Sequence, residues 1–300
     1  MAEQHSRLQV FTSNWQAAAL LLPTLALISV FLYYPFLETV QLSFYQLRVL
    51  GSGEWVGLQN YVQLFESGAY RNSLIVTILF TAATVTASLF LSLIISFLIH
   101  EANRFTDLYL VAAIWPYAMP LAVAGIVLDF LINPRIGVVT WAIEALTGFQ
   151  FAWQTNGALA LVAVIIAAVW QGLGYSIIFM TAAFNQVPDS ITDAAKLDGI
   201  GRFQRLFRIY VPLISPVLVF LIVIQTIGAF FGGFALIDLM TSGGPSNATN
   251  VLMFNLYQDA FVNQRFGYAS AQSVVLFGFV AVLMYVQLRV TDRYAYYGGA

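Results

Sequence analysis

No cysteine occurs in the 300 residues of this chain. Disulfides, thiolate nucleophiles and cysteine-based metal sites are therefore ruled out. Charge is nearly as scarce: Asp, Glu, Lys and Arg make up 9% of the residues, against about 25% in an ordinary soluble domain. Such a chain cannot cover its surface with solvated groups, so lipid must solvate much of it. A net charge of −2 offers no basic surface and argues against a nucleic-acid partner. The only histidines, His5 and His100, fall at expected tail and loop positions, and Lys196 is the single lysine. A Walker A loop needs G-x-x-x-x-G-K-[ST] to hold phosphates. Lys196 is followed by Leu197 and preceded by no such glycines, so this chain holds no Walker A loop. Paired carboxylates, a His/Cys cluster and a nucleophile–base pair, the usual machinery of an enzyme, are not visible either.

What the chain has in abundance is apolar residues, 60% of the total. About 20 consecutive apolar residues span a bilayer as a helix. Six runs meet that length, near Trp15–Phe36, Leu74–Leu98, Leu110–Ile132, Ala158–Phe184, Val211–Ile237 and Ala271–Leu288. The first reads as a retained span rather than a cleaved leader: its core is long, Pro35 and Glu38 follow it, and no small-x-small cleavage site is evident. Lys and Arg in the loops set orientation. With both termini in the cytoplasm, the inner side holds Arg7, Arg104, Lys196, Arg202, Arg205, Arg208, Arg289 and Arg293, and the outer side Arg48, Arg71, Arg135 and Arg265.

The simplest division is a cytoplasmic tail over 1–14, a first span with an outer loop over 15–69, a transmembrane domain of five helices over 70–288, and a second cytoplasmic tail over 289–300. In the outer loop, Val56, Leu58, Tyr61, Val62 and Phe65 recur at roughly helical spacing. This predicts an amphipathic helix, either lying at the membrane interface or packed on the bundle as a surface helix. The outer segment TSGGPSNAT at 241–249 is a turn by its Gly-Gly-Pro chemistry. Its Asn247-Ala248-Thr249 sequon is too short a pattern to carry weight.

The most informative inner segment runs from Pro188 to Pro216. Pro188 ends the fourth span. Ser190 is placed to cap a helix, with Asp193 reaching back to the cap N–H in an acidic capping box. That helix is expected to run to about Asp198. Gly199 then supplies a position with φ > 0. A second helix begins near Arg202, with Phe203, Leu206, Phe207 and Tyr210 on one apolar face and Arg202, Arg205 and Arg208 on the other. Simple anchoring of the arginines at lipid headgroups is the common explanation of such a loop. It does not account for Asp-Ala-Ala, Asp-Gly and the terminal Pro occurring together at this spacing.

The string Asp193-Ala194-Ala195-x-x-Asp198-Gly199, with Phe203, Arg208, Ile209 and Pro212 after it, resembles the EAA loop of membrane subunits of binding-protein-dependent ABC importers. The resemblance extends over nearly the whole chain. Trp55-Val-Gly-Leu-Gln-Asn-Tyr, Asn133-Pro134, Ala229-Phe-Phe and Thr241-Ser-Gly-Gly-Pro are similar to the carbohydrate-uptake branch. Ile237-Asp238 and Ala271-Gln-Ser-Val-Val-Leu are most similar to first permease subunits of sn-glycerol-3-phosphate importers. Asp193 stands where Glu is commonest, and Ile200 where Ala is usual.

The resemblance implies an all-α integral membrane protein of six transmembrane helices, with the type I ABC importer permease fold and a cytoplasmic coupling loop at 189–210. It implies no cofactor in this chain, with ATP and Mg on a partner ATPase. The implied partners are a second permease subunit forming a heterodimer, a cytoplasmic ATPase dimer, an extracytoplasmic solute-binding protein and the lipid of a prokaryotic cell membrane. By the same likeness Asp193, Ala194, Ala195, Asp198, Gly199 and Arg202 couple to the ATPase: the alanines permit close approach, Gly199 fixes the exit angle, and Asp198 and Arg202 make polar contacts.

Polar groups inside spans cost free energy unless they face protein or water. Candidates for the solute pathway are Asp129, Gln171, Tyr175, Gln225, Gln272 and Ser273, with Trp170, Phe230 and Phe231 able to stack on a sugar or polyol. Interhelical bonding or packing is the commoner role for each. No Lys or Arg lies within the spans, which favours a neutral solute, whereas the family likeness points to a phosphate-bearing one; both stay open. An ion-coupled carrier is the main rival. It would need buried ionisable groups, and only Asp129 qualifies.

Overall fold

The computed structural model describes residues 14–47, 53–102 and 104–294. His5, Arg7, Arg48 and most of the two expected tails lie outside the described residues. The chain falls into two compact units that interleave in sequence, one within 1–64 and 259–275, the other within 65–258 and 276–300.

The first unit opens with α1 (Asn14–Ile28), which passes through a π-turn at Ser29–Tyr33 into α2 (Tyr34–Leu42). Pro35 has no N–H to donate to the carbonyl of Phe31, and the widened turn absorbs that missing bond. The apolar stretch is one 25-residue span, Ala18–Leu42, with none of it buried in this chain. It continues past the end expected at Phe36.

A short antiparallel hairpin follows, β1 (Tyr45–Gln46) and β2 (Glu54–Trp55), with Tyr45 opposite Trp55. The Trp55 ring stacks on Phe44 at 5.5 Å and meets the edge of Tyr45 at 5.1 Å. Helix α3 (Gln59–Glu66) is tied to the hairpin by Asn60, whose Nδ2 donates to the carbonyls of Ser43 (2.8 Å) and Tyr45 (3.0 Å). The expected helix exists, but its apolar residues do not share one buried face. Leu58, Val62 and Phe65 are exposed, whereas Asn60 and Leu64 are buried. Bonding of Asn60 to the hairpin sets the rotation of the helix and turns the apolar stripe outward. Close packing also fixes Gly267, where any Cβ would overlap the Tyr45 carbonyl.

The second unit is a helical bundle around α4 (Gly68–His100) and α8 (Gly157–Phe184). Their caps are side-chain oxygens: Ser67 accepts from Tyr70 N, and Asn156 accepts from Ala158 N and Leu159 N. The buried face of α4 carries hydroxyls at Ser73, Thr77, Thr84, Ser88, Ser92 and Ser96, and α8 buries Ala160, Ala163 and Ala167. Small residues let helix backbones approach in a membrane, where no hydrophobic difference drives them together. Ser96 Oγ donates across to Ile177 O at 3.3 Å.

The third expected span, Leu110–Ile132, is not one straight helix. It consists of α5 (Thr106–Ile114), a 3₁₀ turn at Trp115–Ala118, and α6 (Leu121–Leu131), bent by 101°. Pro116 and Pro120 remove two backbone donors from the run, so a continuous helix would lose two bonds there. After α6 come α7 (Val138–Thr147), a short apolar helix, then α8, α9 (Asp189–Leu197) and α10 (Arg202–Arg205). The chain closes with α11 (Val211–Leu213), α12 (Ser215–Met240), α13 (Leu252–Tyr257) and α14 (Phe266–Tyr294). Among the described residues, five helices are long and apolar enough to cross a membrane, and six if the bent pair counts as one span.

The turn expected at 241–249 is present. Ser242, Gly243, Ser246 and Asn247 take positive φ, and the Thr241 and Thr249 hydroxyls bond at 2.7 Å.

Candidate functional site

The Pro188–Pro216 segment forms a helix–elbow–helix. Helix α9 starts directly after Pro188, with no side-chain cap. The expected capping box is therefore absent. Ser190 lies inside the first turn, because Pro188 already occupies the flanking position and fixes the chain there. Asp193 instead pairs with Lys196 at 3.2 Å on the surface.

Asp198 ends the helix and Gly199 follows at φ +72°. Gly199 N donates to Lys196 O (3.1 Å) and Ile200 N donates to Ala195 O (3.0 Å), the paired bonds of a Schellman stop. Nothing lies within 4 Å of a Cβ built at Gly199, so its requirement is the left-handed backbone and not space. Asp193, Ala194, Asp198 and Arg202 are exposed, and Leu197 is 89% exposed. Ala195 is different: it is buried within this chain, so the close approach it permits is to its own bundle.

The second helix departs from the expected pattern. Its α-helical turns stop at Arg205, and Leu206–Tyr210 form a π-turn. The extra residue rotates the register. Leu206 and Tyr210 are buried, Phe203 and Phe207 are exposed, and Arg205, expected to point outward, is buried. Its guanidinium donates from Nη2 to both carboxylate oxygens of Glu101, at 2.8 and 3.0 Å, and from Nη1 to Ile200 O at 3.2 Å. Arg202 lies 3.8 Å from the same carboxylate.

A second strap joins α9 to the bundle. The Thr192 and Tyr210 hydroxyls bond at 3.1 Å, Tyr210 OH is 3.4 Å from His100 Nε2, and His100 Nδ1 is 3.2 Å from Asn185 Oδ1. The rings of Phe97, His100, Phe184 and Tyr210 pack around one another. Sequence reasoning missed Glu101, His100, Thr192 and Tyr210 as parts of this seat. The available signal was charge: an acid directly after the second span, on the side assigned to the basic loop.

A cavity of about 280 Å³ opens between α4, α8, α12 and the turn that breaks the third span. Its lining includes Thr84, Tyr117, Gln171, Tyr175, Gln225 and Gly228. Gln225 Nε2 donates to Ser176 Oγ at 2.7 Å, and Gln171 Nε2 reaches Met119 O at 3.5 Å. Irregular backbone at membrane depth is tolerated where it is packed in protein or lines a cavity; here Tyr117 of the bent segment joins the lining, and the Met119 carbonyl meets Gln171.

Three expected residues thus meet here: Gln171, Tyr175 and Gln225. The others do not. Trp170 packs edge-on against Trp115 at 5.9 Å. Phe230 is buried against Phe279 at 5.6 Å. Phe231 is exposed on α12 away from the lining. Asp129 lies on α6 outside the cavity. Gln272 is buried in the other unit, donating to Asp259 at 2.6 Å, and Ser273 donates to its own helix at Ala269 O. Trp170, Phe230, Gln272 and Ser273 are taken up by packing or local bonding, which spacing alone does not reveal. No cluster of residues among those described could hold a metal ion.

The family model for "Binding-protein-dependent transport system inner membrane component" matches residues 102–295. The sn-glycerol-3-phosphate transport system permease protein of Yersinia pestis bv. Antiqua is 36% identical over 284 residues, covering 94% of this chain and 96% of the relative. Its counterpart in Pectobacterium atrosepticum is 33% identical over 285 residues, covering 95% and 96%. The structure of a bacterial ABC transporter involved in import of the acidic polysaccharide alginate superposes with TM-score 0.81 at 21% identity, covering 93% of this chain and 96% of that one. The chain has the type I ABC importer permease fold. It belongs to the family of binding-protein-dependent transport system inner membrane components, and is a multi-pass permease subunit of an ABC importer in the inner membrane.

Proposed function

We propose that this subunit moves a small polyol or polyol phosphate through the cavity between α4, α8 and α12, driven by a separate cytoplasmic ATPase that grips the exposed face of α9. The observation that carries the proposal is the strapped elbow. Helix α9 shows Asp193, Ala194, Leu197 and Asp198 to solvent, while Thr192 and Ala195 hold its other side to the bundle and the Glu101–Arg205 pair, through Ile200 O, holds the elbow that follows it. A displacement of α9 is thereby passed to the ends of α4 and α8, the helices that line the cavity. ATP and Mg are bound by the partner.

The remaining partners follow from the same reading: a second permease subunit, to which the largely exposed first span offers a surface, and an extracytoplasmic solute-binding protein. Both termini are cytoplasmic. The solute class is supported by the cavity's hydroxyls and carboxamides, with no Lys or Arg in its lining, and by relatives named for sn-glycerol-3-phosphate transport. A phosphate would then be held by neutral donors in this subunit, with any cationic partner supplied elsewhere in the assembly.

The test is reconstitution with the partner subunits and receptor in proteoliposomes. ATP-dependent uptake of glycerol-3-phosphate or glycerol is expected, and Gln225→Leu lowers it at least tenfold. Uptake without ATP, or by this chain alone, refutes the reading.

A further inference from the structure

The unit formed within 1–64 and 259–275 contains a larger cavity, about 530 Å³, made of entirely different residues. Carboxamides converge on it from three elements: Gln46 from β1, Gln59, Asn60 and Gln63 from one face of α3, and Asn263 and Gln264 from the segment before α14. Gln46, Gln59, Gln63 and Gln264 have no side-chain hydrogen bond among the described residues, and all four are exposed to the cavity or solvent.

Arg265 is the only charged residue in the lining, and it is already matched. Its Nη1 is 3.6 Å from Asp259 Oδ1, and its guanidinium lies 4.0 Å over the ring of Tyr268. Asp259 also receives Gln272 Nε2 at 2.6 Å and Asn263 Nδ2 at 3.2 Å. This hub fixes the wall and leaves it close to neutral.

We propose that this cavity is a binding site for an uncharged polyhydroxylated solute, a sugar or polyol. Each carboxamide offers both a donor and an acceptor, as each hydroxyl does, so a polyol can take over the hydrogen bonds that water makes to these four side chains. An apolar ligand would strand them, which costs about 1–3 kcal/mol for each group left unsatisfied. An anion would meet Asp259 behind the one guanidinium, and Arg265 covers the Tyr268 face that an aromatic ligand would need. The volume is in the range of small-molecule sites, about 300–1,000 Å³. The proposal rests on the importer reading for the presence of such a solute; the lining does not depend on it.

The experiment uses the complete transporter in nanodiscs, without the solute-binding protein, and equilibrium binding of radiolabelled maltose and glycerol. At least one of the two binds, inorganic phosphate does not compete, and the double variant Gln59→Leu/Gln63→Leu weakens binding at least tenfold. Both positions are exposed on α3, so folding is not at stake. All binding is measured on a Gln225→Leu background, so that the other cavity does not supply the signal. Absence of binding by either probe, competition by phosphate, or binding that survives the double variant overturns the site. A double variant that loses only stimulation by the solute-binding protein, with no solute bound by the wild type, makes the surface a protein seat and also overturns it. The importer reading fails separately, by loss of ATP-driven uptake in the receptor-supplied proteoliposomes.

Discussion

At the scale of single residues, the ion pair between Glu101 and Arg205 outranks the charges that stand out in the sequence. Lys196 and Asp193 are both more than half exposed, and pairs of that kind contribute about 0–1 kcal/mol. Arg205 and Glu101 are largely buried and share two short bonds. Removing one partner leaves the other uncompensated, at a cost of about 3–5 kcal/mol. Arg205→Ala is therefore expected to lower the thermal stability of the purified complex markedly, and Asp193→Asn to leave it within about 1 kcal/mol. Equal effects of the two substitutions would contradict this ranking. Gly199→Val tests the Schellman stop. A β-branched residue in the left-handed region costs about 1–2 kcal/mol, and no neighbour blocks the side chain. Membrane insertion is expected to persist, while uptake coupled to ATP falls. Normal solute-stimulated ATPase activity and normal uptake would refute the role of the turn.

Among the elements, the bent α5–α6 pair has most to do with the cavity. Its turn contributes Tyr117 to the lining and Met119 O to Gln171. Proline in a helix interior costs about 3 kcal/mol or more, so Pro116 and Pro120 keep the run from closing into a straight rod. The double substitution Pro116→Ala/Pro120→Ala restores two donors and allows the helix to continue. The expected result is a several-fold loss of uptake with unchanged insertion, measured in the same proteoliposomes. Unchanged uptake would show that the bend does not shape the pathway. The π-turn at Leu206–Tyr210 is the other decisive element, because one extra residue sends Arg205 inward and Phe207 outward.

For the whole molecule, the absence of cysteine is an experimental advantage. Single substitutions Leu197→Cys and Gln264→Cys can be probed with a membrane-impermeant maleimide. If both termini are cytoplasmic, Gln264→Cys is labelled in intact cells, and Leu197→Cys only in inverted vesicles. The reverse pattern would place α9 outside and remove it from any cytoplasmic ATPase. The first span, with no residue buried in this chain along its 25-residue apolar stretch, needs lipid or another subunit to cover it, in keeping with a permease that works as part of an assembly.

The membrane class, the apolar spans apart from the bend in the third, and the glycine stop of the elbow were legible in the linear order of residues, because each rests on local chemistry. Apolar runs of bilayer length, a glycine where φ must be positive and prolines at helix starts act on their immediate neighbours. Which polar residues share a cavity was not legible. Gln171, Tyr175 and Gln225 meet, and Gln272, Asp129 and Trp170 do not, because helix rotation and packing decide what faces what. The seat of α9 belongs with them: Glu101 and Arg205 lie 104 residues apart, and only folding brings a carboxylate and a guanidinium at that separation into one buried pair.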